Sequence, residues 1–293
     1  MSIRLTPLAD PEPTSLGHRL AWVASGPDGT PLGHAFLRFF TKDGQRHLAG
    51  VDVRVHPAER RHGAGSLLLD AAVAAAREDG RRSLVAQAEA GSPGAAFLAA
   101  REFGVAMRLT YARLPLVDAD LPFLTALTRQ EHPGYRLVEW TGLVPDELAA
   151  SYVASRRAMD DMPMGTVDYG RVVWDLERVR AAAAAVAGRG EVLHTVAAVA
   201  EADGAVVGFT ELVTPGDGTG DGLHYGTAVL PEHRGHGLAR WMKAASIVRA
   251  RERQPGLAGL VTDTADTNPY MRRVNDALGY LPTHEAHEFQ RAL

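Results

Sequence analysis

Two stretches of this chain run through the same succession of apolar and polar patterns. Residues 20–25 and 32–40 are β-rich runs flanking Pro27-Asp28-Gly29-Thr30, and residues 192–200 and 205–213 flank Glu201-Ala202-Asp203-Gly204. Each pair predicts a β-hairpin. A third apolar, β-rich run follows in each stretch, at 48–55 and at 223–229. Next comes a glycine-containing loop, and then a long proline-free segment with helical periodicity. Leu67, Leu68, Ala71, Ala72, Ala75 and Ala76 form the first apolar stripe, and Trp241, Met242, Ala245, Ile247 and Val248 the second. Gly80 and Pro255-Gly256 end these helices, and short strands are expected at 83–88 and 259–264. Strand-strand-strand-loop-helix-strand-helix-strand, written twice, predicts an α/β fold of two tandem modules, each a mixed central sheet flanked by helices.

The two copies lie in register. Val55, Pro57, Arg60, His62 and Gly63 recur 174 positions later as Val229, Pro231, Arg234, His236 and Gly237. Phe103-Gly104-Val105 answers Leu278-Gly279-Tyr280 at an offset of 175. The starts differ. Nineteen residues precede the first hairpin of copy one, whereas copy two is preceded by residues 135–191, with helical stretches at 147–159 and 176–187. We therefore expect a degenerate N-terminal module at 1–115, a linker with one short helix at 116–133, and a C-terminal module at 134–293. A length of 293 residues suits two domains.

Composition narrows the partners. The 31 basic and 35 acidic side chains leave a net charge of −4, with arginines scattered among acids, so no nucleic-acid partner is expected. No apolar run approaches a membrane span and the first residues hold no apolar signal core, which argues against a membrane partner. The absence of cysteine removes thiolate nucleophiles and Cys-ligated metal, and fits a cytoplasmic protein, monomeric or homodimeric. Lysine occurs only at Lys42 and Lys243, which reads as the arginine bias of a GC-rich coding sequence.

The loops carry the chemistry. Arg-x-x-Gly-x-Gly/Ala between a strand and a helix is an anion-site design: the helix start offers unpaired amides and a positive dipole end, and glycine lets successive amides face one bound diphosphate. No GxxxxGK[ST] occurs, and no GxGxxG with an acid about 20 residues on. The run Val229, Pro231, Arg234, Gly237, Leu238, Ala239 resembles the acyl-CoA loop of GNAT-type N-acetyltransferases. Asn268, Met271, Asn275, Gly279 and Tyr280 resemble that family's Asn-x-x-Ala-x-x-x-Tyr-x-x-x-Gly-Phe/Tyr segment. The tandem layout is similar to that of mycothiol synthase-like bacterial acetyltransferases. The resemblance implies acetyl-CoA as co-substrate and no metal. It implies that the amides from Arg234 through Gly235, His236 and Gly237 to Leu238, with the Arg234 side chain, hold the pyrophosphate, and that His233 and His236 assist. The strand ending at Val229 would bind the pantetheine arm, with Asn268 reaching it from the other side. Arg60, Gly63 and Gly65 match the loop in copy one, but its second signature has Pro93 and Ala100 in place of Asn and Tyr. Copy one is therefore read as a retired module, structural or still CoA-binding.

Acyl transfer to an amine needs aligned reactants, an oxyanion donor and a route for a proton. Glu211, in an apolar strand beside the CoA-binding strand, is the first candidate base, and His224 the second. Asn275 occupies the position from which the family often presents a tyrosine acid, and Tyr270 is a nearby substitute. Asp160-Asp161 could attract a cationic amine. His284-Glu285-Ala286-His287 lacks zinc-site spacing, and the Asp217–Gly222 loop lacks the downstream glutamate of a calcium site. The expectation is an N-acyltransferase carrying acetyl from acetyl-CoA to a small-molecule primary amine in the C-terminal module. The alternatives are a catalytically silent CoA-binding regulator or scaffold, and transfer to a protein or peptide amine.

Overall fold

A computed structural model describes residues 2–9, 18–41, 44–163, 165–170 and 172–293; Lys42 lies outside this set. In chain order, the first half contains β1 (Arg4–Ala9), β2 (His18–Ser25), β3 (Pro31–Phe39), β4 (Leu48–Val55), α1 (Ala64–Glu78), β5 (Ser83–Glu89), α2 (Pro93–Ala99), β6 (Gly104–Pro115), α3 (Leu121–Thr128) and β7 (Tyr135–Thr141). The second half contains α4 (Asp146–Ser155), α5 (Leu176–Gly188), β8 (Glu191–Ala200), β9 (Val206–Pro215), β10 (Gly220–Val229), α6 (Leu238–Arg253), β11 (Leu257–Ala265), α7 (Pro269–Ala277) and β12 (Leu281–Ala292). Both hairpins, both third strands and both long helices fall where the sequence places them, and the fold is mixed α/β.

Two compact units emerge, and neither is one continuous stretch. The first comprises residues 1–108, 165–173 and 286–293, and the second 109–164 and 174–285. In the first unit β1, β2, β3 and β4 are antiparallel neighbours, and β4 runs parallel to β5. The far side of β5 is taken by the end of β12, antiparallel from Ala286↔Glu89 to Ala292↔Ser83. In the second unit the end of β6 pairs antiparallel with β11 and β11 runs parallel to β10. The antiparallel series β10, β9, β8, β7 follows. The boundaries read from sequence put β6 with the first module and β12 with the second. By contact, the ends of these two strands sit in the opposite units.

Helix α1 seals the first core with Leu68, Leu69, Ala72, Val73 and Ala76, whereas Leu67 is 42% exposed. The apolar stripe is thus rotated by one residue from the one read in the sequence, because the run of alanines leaves the phase of the helix underdetermined. In the second unit β9 is buried from Val206 to Thr214, with α4 and α6 both packed against it. A strand covered on both faces gives no solvent to any of its side chains, and this decides the fate of Glu211.

Candidate active site

The turn between β10 and α6 is built by its glycines. A short 3₁₀ turn, Pro231–His233, leads into Gly235 (φ +86°) and Gly237 (φ +75°), left-handed positions that cost a side-chain-bearing residue about 1–2 kcal/mol. Gly237 starts α6 without any side-chain cap, so the first-turn amides of the helix face outward unpaired. Arg234 Nε donates to the Val229 carbonyl at 3.0 Å, which fixes the guanidinium beside those amides. The first unit repeats the design. Arg60 Nε donates to the Val55 carbonyl at 3.3 Å, Gly63 (φ +93°) starts α1 uncapped, and Arg61 (φ +69°) stands where the second copy has Gly235.

A fork lies behind the second loop. β10 pairs with β11 only from Gly220↔Leu257 to Leu223↔Val261, although the strands continue to Val229 and Ala265. A register shift in β10 between His224 and Gly226 marks the parting point. Beyond it, the side of β10 facing away from β9 offers backbone groups to whatever enters. A cavity of about 240 Å³ occupies this region, lined by Thr227, Val229, Arg234, Gly237, Asn268 and Tyr270 among others. Asn268 caps α7, its Oδ1 accepting from the Met271 amide at 3.1 Å, and Tyr270 is 51% exposed at the cavity wall.

The structure separates the candidate catalytic residues. Glu211 is 8% exposed and fully engaged: Oε1 accepts from the Tyr152 hydroxyl at 2.6 Å and from Arg156 Nη2, and Oε2 accepts from Arg156 Nη1 at 3.0 Å. Arg156 is itself held between the rings of Tyr152, Phe209 and Trp174, at 4.4–4.7 Å from each centre. Glu211 is therefore the counter-ion of a buried arginine and not a free base; a carboxylate on a doubly covered strand needs such partners to be tolerated. His224 is buried, its ring beside the Glu211 backbone. Burial, reinforced by the charge of Lys243, pushes its pKa well below the ordinary histidine value, so the ring is neutral. Asn275 is 3% exposed; its Oδ1 accepts from Lys243 Nζ at 2.7 Å and its Nδ2 donates to Thr264 Oγ1 at 3.0 Å. Asp161 forms a bidentate pair with Arg234 at 2.6 and 2.8 Å, which holds its carboxyl below the usual range, so the acid expected to draw an amine instead holds the loop arginine.

Comparison with known proteins bears on this geometry. A family model described as "Acetyltransferase (GNAT) family" matches residues 6–105 and again residues 165–280. The chain belongs to the GNAT acetyltransferase family. The same fold recurs in a tandem GNAT protein from the clavulanic acid biosynthesis pathway, solved without AcCoA. It is 24% identical with a TM-score of 0.81, and the match covers 99% of this chain and 98% of that one. A GCN5-related N-acetyltransferase from Sphaerobacter thermophilus is 14% identical, with a TM-score of 0.63 over 93% of this chain and 80% of that one. A glucosamine N-acetyltransferase region of a fungal multi-domain β-N-acetylglucosaminidase is 15% identical, with a TM-score of 0.66 over 93% of this chain and 33% of that one. No curated protein matches the chain.

In GNAT terms, each unit carries a glycine loop and a fork; in the first, β4 and β5 pair only from Leu48↔Ser83 to Gly50↔Val85. The loop of the second unit is buttressed by residues that the sequence had not singled out. The Tyr135 hydroxyl meets His233 Nδ1 at 3.0 Å. His132 Nδ1 donates to the His236 carbonyl at 2.9 Å, and its ring stacks on Trp241 at 4.2 Å. Trp241 Nε1 donates to the Thr128 carbonyl at 3.1 Å. The expected linker is thus a strut for the loop. Tyr152, Arg156 and Lys243 were missed as well, and nothing in the local sequence pattern marks the partners that the fold brings to them.

Proposed function

We propose that this GNAT chain transfers the acetyl group of acetyl-CoA to the primary amine of a small molecule by direct attack, in the second unit. The observation that supports this most is the juxtaposition of uncapped loop, fork and cavity there. The donor fits the residues present. A Cβ on Gly237 would stand 3.3 Å from Cε1 of His132, the ring that buttresses the loop, so the left-handed turn that presents the amides takes glycine there, while the fork leaves one side of β10 open. The first-turn amides of α6 and Arg234 would hold the diphosphate. The unpaired backbone of β10 beyond His224 would bind the pantetheine arm and stabilise the acyl oxygen as it gains charge. Acetyl-CoA supplies the activated acyl group. Met159, Met162 and Pro163 give the neighbouring wall an apolar character suited to the carbon skeleton of a small amine. With Glu211 neutralising Arg156, the amine passes its surplus proton to water. The reaction is assigned to the cytoplasm, the compartment that holds acyl-CoA donors; among the described residues no helix is long and apolar enough to cross a membrane.

Calorimetric titration with acetyl-CoA tests this reading. We expect one site per chain, lost in Gly237→Glu and kept in Gly63→Glu. Absence of binding would overturn the proposal, and loss confined to Gly63→Glu would move the site to the first unit. The second reading, a CoA-binding regulator without chemistry, is favoured by Asn275 in the tyrosine position and by the engagement of Glu211. It is selected if acetyl-CoA binds but a panel of small primary amines elicits no release of CoA thiol.

A further inference from the structure

The helix that follows the second glycine loop carries a charge into its core. Lys243 in α6 is 1% exposed, surrounded by Ala244, Ile247 and other buried apolar neighbours on the same helix. The residue 174 positions earlier, at the equivalent point of α1, is Leu69, fully buried. One helix of the chain thus holds leucine where its counterpart holds an ammonium, and a buried charge is costly unless something is gained. Lysine is also the unusual choice for this sequence, which otherwise uses arginine almost throughout. A guanidinium keeps its proton, whereas a buried lysine can release one.

Lys243 stands in a cluster of polar groups that the first copy lacks. Its Nζ donates to Asn275 Oδ1 at 2.7 Å and lies 4.9 Å from the centre of the Tyr280 ring. His224 sits edge-on to that ring at 6.0 Å. The Tyr280 hydroxyl is buried without a hydrogen-bond partner. The equivalents of Asn275 and His224 in copy one are Ala100 and Gly50. The cluster lies at the inner end of the fork. His224 is the first residue of β10 past the last β11 pair, and Thr264 lies on β11 past it. Asn268, Met271 and Asn275 are spaced along one face of α7, and the first two line the cavity.

We propose that Lys243, held by Asn275, supplies the proton taken up by the sulfur that leaves the acyl group, in the place of the tyrosine that the family often presents from the Asn275 position. This rests on reading the cavity as an acyl-CoA site. As the amine nitrogen bonds to the acyl carbon, the carbon–sulfur bond breaks and its electron pair stays on sulfur. Sulfur takes the Nζ proton, the amine's surplus proton goes to water, and Lys243 is reprotonated from water. The neighbours suit this role. Burial pulls the Lys243 ammonium down to about 7, with Asp263 on β11 opposing. His224 on β10 stays neutral and does not compete as a cation. Thr264 and Asn275 offer no charge. Burial pushes the Tyr280 phenol far above its ordinary value, so it is no rival acid.

The test uses CoA itself, binding it to wild type and to Lys243→Met and following ionisation of the bound thiol by thiolate ultraviolet absorbance. A free thiol ionises near 8.5; beside the Lys243 ammonium the bound thiol should ionise severalfold more at pH 7 than in free CoA, which would show that Nζ reaches the sulfur. Donation of its proton is then read from turnover in the arginine variant. Lys243→Met should fold, since the first copy packs leucine at this point, and should bind CoA by calorimetry while losing the extra thiolate. Equal thiol titration in both proteins would overturn the proposal. Failure of wild type to bind CoA would overturn the acyl-CoA reading itself and is visible separately in the calorimetry. Lys243→Arg should keep the extra thiolate but not turnover; full turnover in that variant would show that charge alone suffices and would end the claim of proton donation. With only two lysines in the chain, ¹⁵N-lysine spectra should show one ammonium titrating near neutrality and shifting when CoA is added.

Discussion

Glu211 and Arg156 show how a buried ion pair constrains the interpretation of a single residue. Removing one partner leaves the other charge stranded among Tyr152, Phe209 and Trp174, and such losses run to about 3–5 kcal/mol. Glu211→Gln should therefore cost stability of that order in urea denaturation. The double variant Arg156→Met/Glu211→Leu should recover most of it, whereas a residue conserving only catalysis would leave stability unmoved. Lys243 and His224 act on stability through pH. The Lys243 pKa falls from 10.5 to about 7 on folding, so between those values the unfolded chain holds more protons and stability rises with pH. The His224 pKa is also lowered on folding, so its contribution is present above the unfolded value near 6.5 and fades as the pH drops below it. Melting temperature should accordingly climb from neutral to alkaline pH in wild type. Lys243→Met should melt several degrees higher at pH 7 and lose the part of that climb above neutrality. A variant whose curve parallels wild type would show that Lys243 is not buried as a charge. None of these roles was legible in the sequence. Glu211 stood out as an acid in an apolar strand, but Arg156 lies 55 residues away and only the packing of α4 on β9 brings them together. Lys243 was hidden by its rarity, which read as coding bias.

At the scale of elements, the sequence carried more. The hairpins, third strands, glycine loops and long helices were all set by local pattern, because turn residues and periodicity act over a few positions. The strands β1 and β7 were not anticipated. β7 carries exposed and half-buried positions rather than a clean apolar face, and β1 has only weak alternation. The 3₁₀ turn Arg156–Met159 after α4 and the residues beyond it also gained a role from the fold. They clasp the loop of the second unit through Asp161–Arg234 and Arg157–Glu232. If Arg234 is to hold a diphosphate, Asp161 competes with that ligand for the same guanidinium. Asp161→Asn should then tighten acetyl-CoA binding about threefold at low ionic strength, the scale of a half-exposed pair. The gain should shrink as salt screens the wild-type pair. Unchanged affinity across that salt range would mean that Arg234 does not meet the ligand's phosphates.

For the whole molecule, the internal repeat suggests two parts that could be cut at the linker, yet the strand pairings say otherwise. The last residues of the chain close the sheet of the first unit, seven pairs running from Ala286↔Glu89 to Ala292↔Ser83, with Phe289 buried in that unit's core beside Leu84 and Phe103. In return, the end of β6 lies along β11 from Leu109↔Ala265 to Pro115↔Gly259, with Leu114 in the core of the second unit beside Leu260 and Tyr280. The sequence could not reveal this exchange, because either strand would satisfy the same alternation in either sheet; the choice is made by long-range pairing. A fragment ending at residue 115 would leave β5 without its β12 neighbour, and one beginning at 134 would leave β11 without β6. Each would expose a long, apolar edge, which invites aggregation. We expect each fragment alone to lack a cooperative melting transition and to aggregate, and co-expression of residues 1–133 with residues 134–293, which keeps Leu124, Leu127 and His132, to restore a soluble complex that melts like the intact chain. Deleting only residues 286–293 isolates half of the exchange. It should lower protection from hydrogen exchange across β5 and β4, nearly 200 residues away in sequence, before it affects β8 and β9. Unchanged protection in β5 after that deletion would show that the C-terminal strand does not close the first sheet.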